Sequence, residues 1–331
     1  MKMVRFWISS IALCAALGAT AVAQPGRTPP PAPPQDEAQD TPTVTRVVRV
    51  PVTVTDKKGK PVTGLTREAF TVLEDKRPVQ FDFLGETREL EKLPIYIGVL
   101  MDTSSSTSGK LKFEQEAALN FIYTVTRTRK DQVAFLTFDD EVNLRQDFTT
   151  NLDLLNKAVS GVKKPGTQTA LFDAIWLMCD EKMRGVNSPR RAIVVITDGD
   201  DTYSRVTLDE AIQIAQQTDT IIFAVSTKGG FAGSAVPGVE GGTVKDSGDK
   251  QLTRLAEETG GRAFDTGDIL ALERAFKRIG EELRAQYLIT YRPQGPFDGS
   301  YRRIEVKLNA GDGLRVKSKR GYRIDREAPR Q

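Results

Sequence analysis

Four near-continuous apolar runs limit the fold more than any other feature of this 331-residue chain. They read PIYIGVLM, QVAFLTF, RAIVVIT and TIIFAVS, and each has the length of a single β-strand. Strands that are apolar along their whole length are typical of a parallel sheet that is buried on both faces. Helical patterns separate the runs, so the sequence predicts an α/β fold with a doubly wound, mostly parallel, Rossmann-like sheet.

Two segments between the runs carry clear helix signals. In KFEQEAALNFIYTVTR, one face of a 3.6-residue period carries Ala117, Phe121, Ile122 and Val125. In TLDEAIQIAQQ, Thr207 is the expected N-cap, and Glu210 three positions later is its expected capping-box partner. Sheets of this kind bind ligands at the carboxyl ends of their strands, so a functional site is expected at that edge.

Both ends of the folded part carry strand patterns instead. Near the N-terminus, valines at 48, 50, 52 and 54 alternate with other residues, and Pro78 predicts an edge strand or a turn. Near the C-terminus, AQYLITYRP, RRIEVKL and LRVKSKRGYRI are three strand candidates, the last two joined by NAGDG.

Neither flank is much longer than the roughly 40 residues below which a domain rarely holds its own core. We therefore predict that residues 44–92 and 285–331 pair into one small β-sandwich-like domain. The central α/β domain, residues 93–284, would be inserted in it. The alternative is that the flanks are two separate extensions of the central sheet.

The N-terminus has the pattern of an export signal. Lys2 and Arg5 precede an apolar stretch that ends in AVA before Gln24, which predicts a signal peptide over residues 1–23. An uncleaved anchor and a lipoprotein are weaker alternatives, because polar residues interrupt the stretch and Cys14 follows a leucine. Residues 24–43 are proline-rich and predict a disordered linker. We expect a periplasmic or extracellular protein whose mature chain has no transmembrane span.

Composition excludes several classes of function. The chain has no histidine, which excludes Ser-His-Asp and Cys-His hydrolases and any zinc site built on imidazole. Its net charge of +3 does not predict nucleic-acid binding. Only Cys179 remains after signal cleavage, so no intramolecular disulfide can form, and we predict a buried neutral thiol. Oxygen ligands remain, and these favour hard cations such as Mg²⁺, Mn²⁺ and Ca²⁺.

Polar residues stand where three of the predicted elements meet the functional edge. Asp102 ends the first apolar run and opens DTSSST, and Asp198 ends another within VVITDGDD. Thr169 precedes the helical run ALFDAIWLM. The alternative is a local turn in which Asp and Ser side chains bond nearby backbone N–H groups, with Thr169 as an ordinary N-cap. Asp200 and Asp201 are expected to be solvated loop carboxylates.

The pattern Asp102-x-Ser104-x-Ser106, followed by Thr169 and by Asp198 within TDG, resembles the metal-ion-dependent adhesion site (MIDAS) of von Willebrand factor A-type domains. The resemblance covers about residues 93–283, and both flanks resemble those of a secreted bacterial branch of the family. It implies five metal ligands, with the two carboxylates acting largely through bridging waters: Asp102, Ser104, Ser106, Thr169 and Asp198. Ser105 stands where the family usually has glycine, and Thr167 is a rival to Thr169.

The resemblance implies binding rather than catalysis. Mg²⁺ is the expected ion, with Mn²⁺ or Ca²⁺ as alternatives, and an Asp or Glu of a protein partner would complete its coordination. One alternative is a structural envelope module with a non-functional metal site. A phosphatase of the haloacid dehalogenase type is less favoured, because Ser104 stands where that class has a second Asp. Neither the partner nor the oligomeric state is predicted.

Overall fold

The computed structural model has the predicted alternation of strands and helices in the central part of the chain. Within the described residues the strands are β1 (Val48–Thr55), β2 (Phe70–Glu74), β3 (Arg77–Pro78), β4 (Asp82–Leu84), β5 (Tyr96–Asp102), β6 (Gln132–Phe138), β7 (Val142–Thr149), β8 (Arg191–Thr197), β9 (Thr220–Ser226), β10 (Arg262–Asp265), β11 (Gln286–Tyr291), β12 (Tyr301–Leu308), β13 (Arg315–Ser318) and β14 (Gly321–Arg323). The helices are α1 (Leu111–Val125), α2 (Leu152–Ser160), α3 (Leu171–Leu177), α4 (Leu208–Gln217), α5 (Ser247–Thr259) and α6 (Ile269–Arg284). A π-helical stretch, Met178–Met183, continues α3.

The structure describes residues 47–84, 90, 92–105, 111–127, 130–163, 166–197, 200–228, 247–266, 269–309 and 313–324. All of them belong to one compact unit of the chain, Thr45–Gln331. Two of the five predicted metal ligands, Ser106 and Asp198, lie outside the described residues, as do the predicted signal peptide and linker.

The four apolar runs form four adjacent strands of one sheet. Its strand order is β10–β9–β8–β5–β6–β7, and all neighbours are parallel except β7, which is antiparallel to β6. After its first residue, each of β5, β6 and β8 is buried to its end, and β9 is buried throughout. Because both faces of the sheet are buried, the four runs do not alternate between apolar and polar residues. The predicted α/β fold is confirmed.

Helices cover both faces of this sheet. On one face, α1, α2 and α6 pack on the core that includes Phe121, Leu155 and Phe276. On the other, α3, α4 and α5 pack on the core that includes Ile175 and Leu255. The predicted apolar face of α1 is confirmed, because all four of its predicted residues are buried. The predicted capping box of α4 is also confirmed, with both of its hydrogen bonds formed.

The two flanks contribute strands to the same pair of antiparallel sheets. One sheet has the order β13–β1–β11–β4, and the other has the order β14–β12–β2–β3. Residues of both sheets share one core, to which β1 contributes its four valines. Pro78 lies in the edge strand β3, as predicted. The division of the chain into domains at residues 92 and 284 stays a prediction.

The C-terminal run LRVKSKRGYRI was expected to be one strand and forms two. β13 joins the sheet of β1, whereas β14 pairs with β12 in the other sheet. The chain changes sheets at Lys319, which is 4% exposed and extends its ammonium to Asp219 Oδ1 at 2.6 Å and to the Gln216 carbonyl at 3.1 Å. This buried contact fixes the C-terminal flank to the end of α4.

Cys179 is fully buried in the core beneath α3. Burial raises the pKa of its thiol to about 12, because the thiolate would lose its hydration there. The prediction of a buried thiol is therefore confirmed.

Candidate metal centre

Three of the five predicted ligands are described, and all three are buried at the carboxyl-end edge of the central sheet. Asp102 is the last residue of β5 and is 0% exposed. Ser104 follows it in the loop and is 2% exposed, and Thr169 precedes α3 and is 5% exposed. Nothing is described of Ser106 or Asp198, so their roles stay predictions.

Both carboxylate oxygens of Asp102 accept a hydrogen bond. Oδ1 accepts from the backbone N–H of Ser104 at 2.8 Å, which is the bond that the local-turn interpretation predicts. Oδ2 accepts from Thr197 Oγ1 at 2.6 Å. Thr197 ends β8, so this second bond connects the carboxyl ends of two neighbouring strands and is no local turn contact. The two bonds fix the orientation of the buried carboxylate.

The loop after Asp102 is held by the end of the next strand. The backbone N–H of Thr103 donates to the carbonyl of Phe138, the last residue of β6, at 2.9 Å. The Thr103 hydroxyl donates to Asp139 Oδ2 at 2.8 Å. Residues 103 and 104 therefore follow a path set by β6 as well as by β5.

The same loop also contacts the segment that leads to Thr169. The N–H of Gly166 donates to the Thr103 carbonyl at 2.7 Å, and Ser105 Oγ donates to the Thr167 carbonyl at 3.2 Å. Only glycine fits at 166, because a Cβ there would lie 2.5 Å from Asp139 Cβ. The loop that carries Ser104 and the segment that carries Thr169 are thus in direct contact.

The two rival threonines of this segment differ in their bonding. The hydroxyl of Thr167 donates to Asp140 Oδ1 and its N–H donates to Oδ2, both at 2.7 Å. The hydrogen bond from the Thr167 hydroxyl, followed by that from its N–H, lowers the pKa of the exposed Asp140 carboxyl. Thr167 is therefore engaged with a carboxylate already.

Thr169 is fixed through its backbone and not through its side chain. Its N–H donates to Thr202 Oγ1 at 3.0 Å, and its carbonyl accepts from the N–H groups of Thr202 and Tyr203 at 2.9 and 3.1 Å. Among the described residues, its hydroxyl has no hydrogen-bond partner, and the hydroxyl oxygen is not enclosed although the residue as a whole is 5% exposed. Nor does it cap α3, whose N-cap is Ala170. The hydroxyl oxygen of Thr169 is therefore accessible to a ligand.

The described donors fit a hard cation. They are two hydroxyls and one oriented carboxylate, the oxygen ligands that Mg²⁺, Mn²⁺ and Ca²⁺ prefer. No group of three carboxylate or cysteine side chains lies together as a metal site in the part of the chain that the structure describes.

The family model of the von Willebrand factor type A (VWA) domain matches residues 97–278, which is more than half of the chain. The chain belongs to the VWA domain family. VWA domains are commonly protein-interaction modules and often bind a divalent cation. In this VWA domain, the matched residues begin in β5 and end in α6.

Solved structures similar to this VWA protein include a von Willebrand factor type A protein from Catenulispora acidiphila. It is 11% identical over 85% of this chain and 74% of its own, with a TM-score of 0.45. An aerotolerance-related membrane protein from Bacteroides fragilis is 18% identical over 57% of this chain and 98% of its own, with a TM-score of 0.44. These TM-scores carry no argument about function. No curated protein matches the chain.

Three residues that organise this edge of the VWA domain were not predicted from the sequence. Thr197 precedes Asp198 in TDG, and a hydroxyl at a strand end next to a candidate ligand is a signal that could have indicated its role. Asp201 was expected to be solvated but is half-buried, and burial raises the pKa of its carboxyl despite the hydrogen bond from Ser204. Ser204 had no sequence signal for its contact with α3, because it accepts from backbone N–H groups about 30 residues away in the chain. No described helix of this VWA protein is long and apolar enough to span a membrane.

Proposed function

We propose that the chain is an exported, metal-dependent protein-binding module. Asp102, Ser104, Ser106, Thr169 and Asp198 would hold a divalent cation, and an Asp or Glu carboxylate of a protein partner would complete its coordination. Mg²⁺ is the ion we propose, with Mn²⁺ and Ca²⁺ as alternatives. Export through a signal peptide over residues 1–23 would place this binding in the periplasm or outside the cell.

The observation that carries the proposal is the state of the Thr169 hydroxyl. The residue is mostly buried, but its hydroxyl makes no hydrogen bond within the described residues and its oxygen is not enclosed, and the loop next to its segment carries Ser104 and follows the oriented carboxylate of Asp102. Its rival Thr167 already binds Asp140. A cation would satisfy the Thr169 hydroxyl oxygen here. The negative charge of the Asp102 carboxylate would offset part of the free energy that the cation loses when it gives up water.

The bound cation would supply an electron-poor centre that attracts a carboxylate. The groups that bind it directly would be the neutral hydroxyls of Ser104, Ser106 and Thr169, while Asp102 and Asp198 would act largely through bridging waters, so the ion itself would stay electron-poor. Such a site favours an acidic side chain of another protein. We propose no catalytic step, because the chain has no histidine and Ser104 replaces the second carboxylate that a phosphatase of the dehalogenase type would need.

Calorimetric titration with Mg²⁺ and Mn²⁺ tests the proposal. The wild type should bind one ion, and Ser104→Ala and Asp198→Ala should weaken binding by about 10–100-fold. Thr167→Ala is the matched control at this edge and should bind the ion as the wild type does. A wild type that takes up no divalent ion at millimolar concentration would leave the structural envelope module as the better account.

A further inference from the structure

Two segments at the site form a mutual set of hydrogen bonds that we call the clasp. One segment is residues 168–173, which carries Thr169 and the start of α3. The other is residues 201–206, the loop between β8 and α4 that follows the predicted ligand Asp198. The two segments are about 30 residues apart in the chain, and each donates bonds to the other.

The loop caps the helix. Ser204 Oγ accepts from the N–H groups of Phe172 at 2.9 Å and Asp173 at 3.1 Å, and it donates to Asp201 Oδ1 at 2.5 Å. Asp201 Oδ1 also accepts from the Phe172 N–H at 3.3 Å. The N-cap residue of α3, Ala170, has no side chain that could do this. The free N–H groups at the start of α3 are therefore satisfied from outside the helix.

The helix in turn holds the loop. Asp173 Oδ1 accepts from the N–H groups of Arg205 at 3.0 Å and Val206 at 2.9 Å. The loop thus has a preferred path only while α3 presents this carboxylate, and α3 is capped only while the loop keeps that path. Bonds given in both directions make the order of one segment depend on the order of the other.

Thr169 lies at one end of the clasp. Its backbone is bonded in both directions to Thr202 and also accepts from Tyr203, so the loop sets the position from which its hydroxyl projects. In the sequence, the same loop begins three residues after Asp198, another predicted ligand. A shift of the loop would therefore move Thr169.

We infer that the clasp is a positioning device for the metal site. Ser204 and Asp173 do not bind the ion themselves; they act through the position of Thr169. Ordering of the clasp and binding of the cation are then linked, so each strengthens the other. This inference rests on the proposed function.

The test combines metal titration with amide hydrogen exchange on Ser204→Ala and Asp173→Asn. Both variants should bind Mn²⁺ about tenfold more weakly than the wild type, and Ser204→Thr, which keeps the hydroxyl, should recover most of the loss. Without metal, Ser204→Ala should speed exchange about fivefold at Arg205 and Val206, whose own acceptor is intact. Asp173→Asn should do the same at Phe172.

Ser160→Ala and Asp180→Asn serve as matched controls, since both residues lie outside the clasp, and neither should change either readout. Binding of Mn²⁺ at wild-type strength by both clasp variants would overturn the inference. If the wild type binds no Mn²⁺, the proposed function fails, and hydrogen exchange alone tests whether the two segments of the clasp are coupled. Faster exchange in both segments of each variant would support the coupling. Faster exchange only at the residues that lost a hydrogen bond would overturn the coupling.

Discussion

Thr197 donates a 2.6 Å hydrogen bond to Asp102 and so connects the carboxyl ends of the two central strands β8 and β5. Both side chains are fully buried. The bond occupies one carboxylate oxygen while a backbone N–H occupies the other, so the orientation of Asp102 depends on a residue that resembles no ligand in the sequence.

Thr197→Val removes this hydroxyl with little change in shape. The variant should lose about 1–3 kcal/mol of unfolding free energy, because a buried carboxylate loses a partner. If Asp102 must be oriented to hold the cation's shell, metal affinity should fall about tenfold as well. Chemical denaturation and calorimetry measure the two effects, and Thr197→Ser is the control that restores both. Unchanged metal affinity in the valine variant would show that this bond is structural only.

The carboxyl group of Asp131 should make the free energy of unfolding depend on pH in the acidic range. Burial raises the pKa of its carboxyl, but hydrogen bonds from the Arg127 side chain and from the N–H groups of Ile95 and Arg127 outweigh this and bring it below its usual 3.8. The folded pKa is lower than the unfolded one, so its stabilisation is present above about pH 4 and is lost as the pH falls through the folded pKa.

Asp131→Asn should therefore be less stable than the wild type at pH 7 by about 1–3 kcal/mol. The difference should shrink only below about pH 4, where the wild-type carboxylate takes up its proton. Urea denaturation from pH 7 down to pH 3 measures this. A difference that is already lost at pH 6 would contradict the assigned direction of the pKa shift.

The proposed flank domain can be tested at Ile289, which is fully buried in the core that the two flank sheets share. Ile289→Ala should cost about 2–5 kcal/mol. If the flanks unfold as a unit of their own, amide exchange should rise in β1 and β12 and stay unchanged in β8. An equal rise in the central sheet would show that the flanks and the centre unfold together.

Tyr203 is a large side chain left exposed beside the proposed site. It is 54% exposed, while its backbone is fixed to the Thr169 carbonyl at 3.1 Å. Rigid aromatic side chains dominate many protein interfaces. Tyr203→Ala should lower affinity for a chelator-sensitive protein partner about tenfold or more and leave metal affinity unchanged.

Tyr123→Ala is the matched control for this variant. Tyr123 is 50% exposed on α1, where its hydroxyl accepts from Asn156. Partner affinity, measured by surface plasmon resonance, should be unchanged in the control. Equal losses in both variants would argue against a contact at Tyr203.

Much of the fold could be predicted because the relevant signals are local. The apolar runs became β5, β6, β8 and β9, since their burial on both faces leaves a continuous pattern. Capping of α4 was also predictable, because Thr207 and Glu210 are three residues apart. The edge strands β7 and β10 carry no such signal, as their residues are mostly half-exposed.

The arrangement of the site was predictable only in part. Strand ends indicated where Asp102 would lie, because parallel strands share one carboxyl edge. The clasp was not predictable, since Ser204 and Asp173 meet through backbone N–H groups that have no sequence signature. The break at Lys319 was missed for a similar reason, because its partner Asp219 is 100 residues away in the chain.

Water-proton relaxation with Mn²⁺ tests the central claim most directly, because it reports both the bound ion and the water on it. Binding of one Mn²⁺ to the wild type should enhance the relaxation of water protons. An acidic peptide should lower this enhancement in a saturable way. The affinity of Thr169→Ala for Mn²⁺ should be at least about tenfold lower than that of the wild type. Relaxation equal to that of Mn²⁺ in buffer alone would contradict the claim that this edge of the sheet holds a divalent cation.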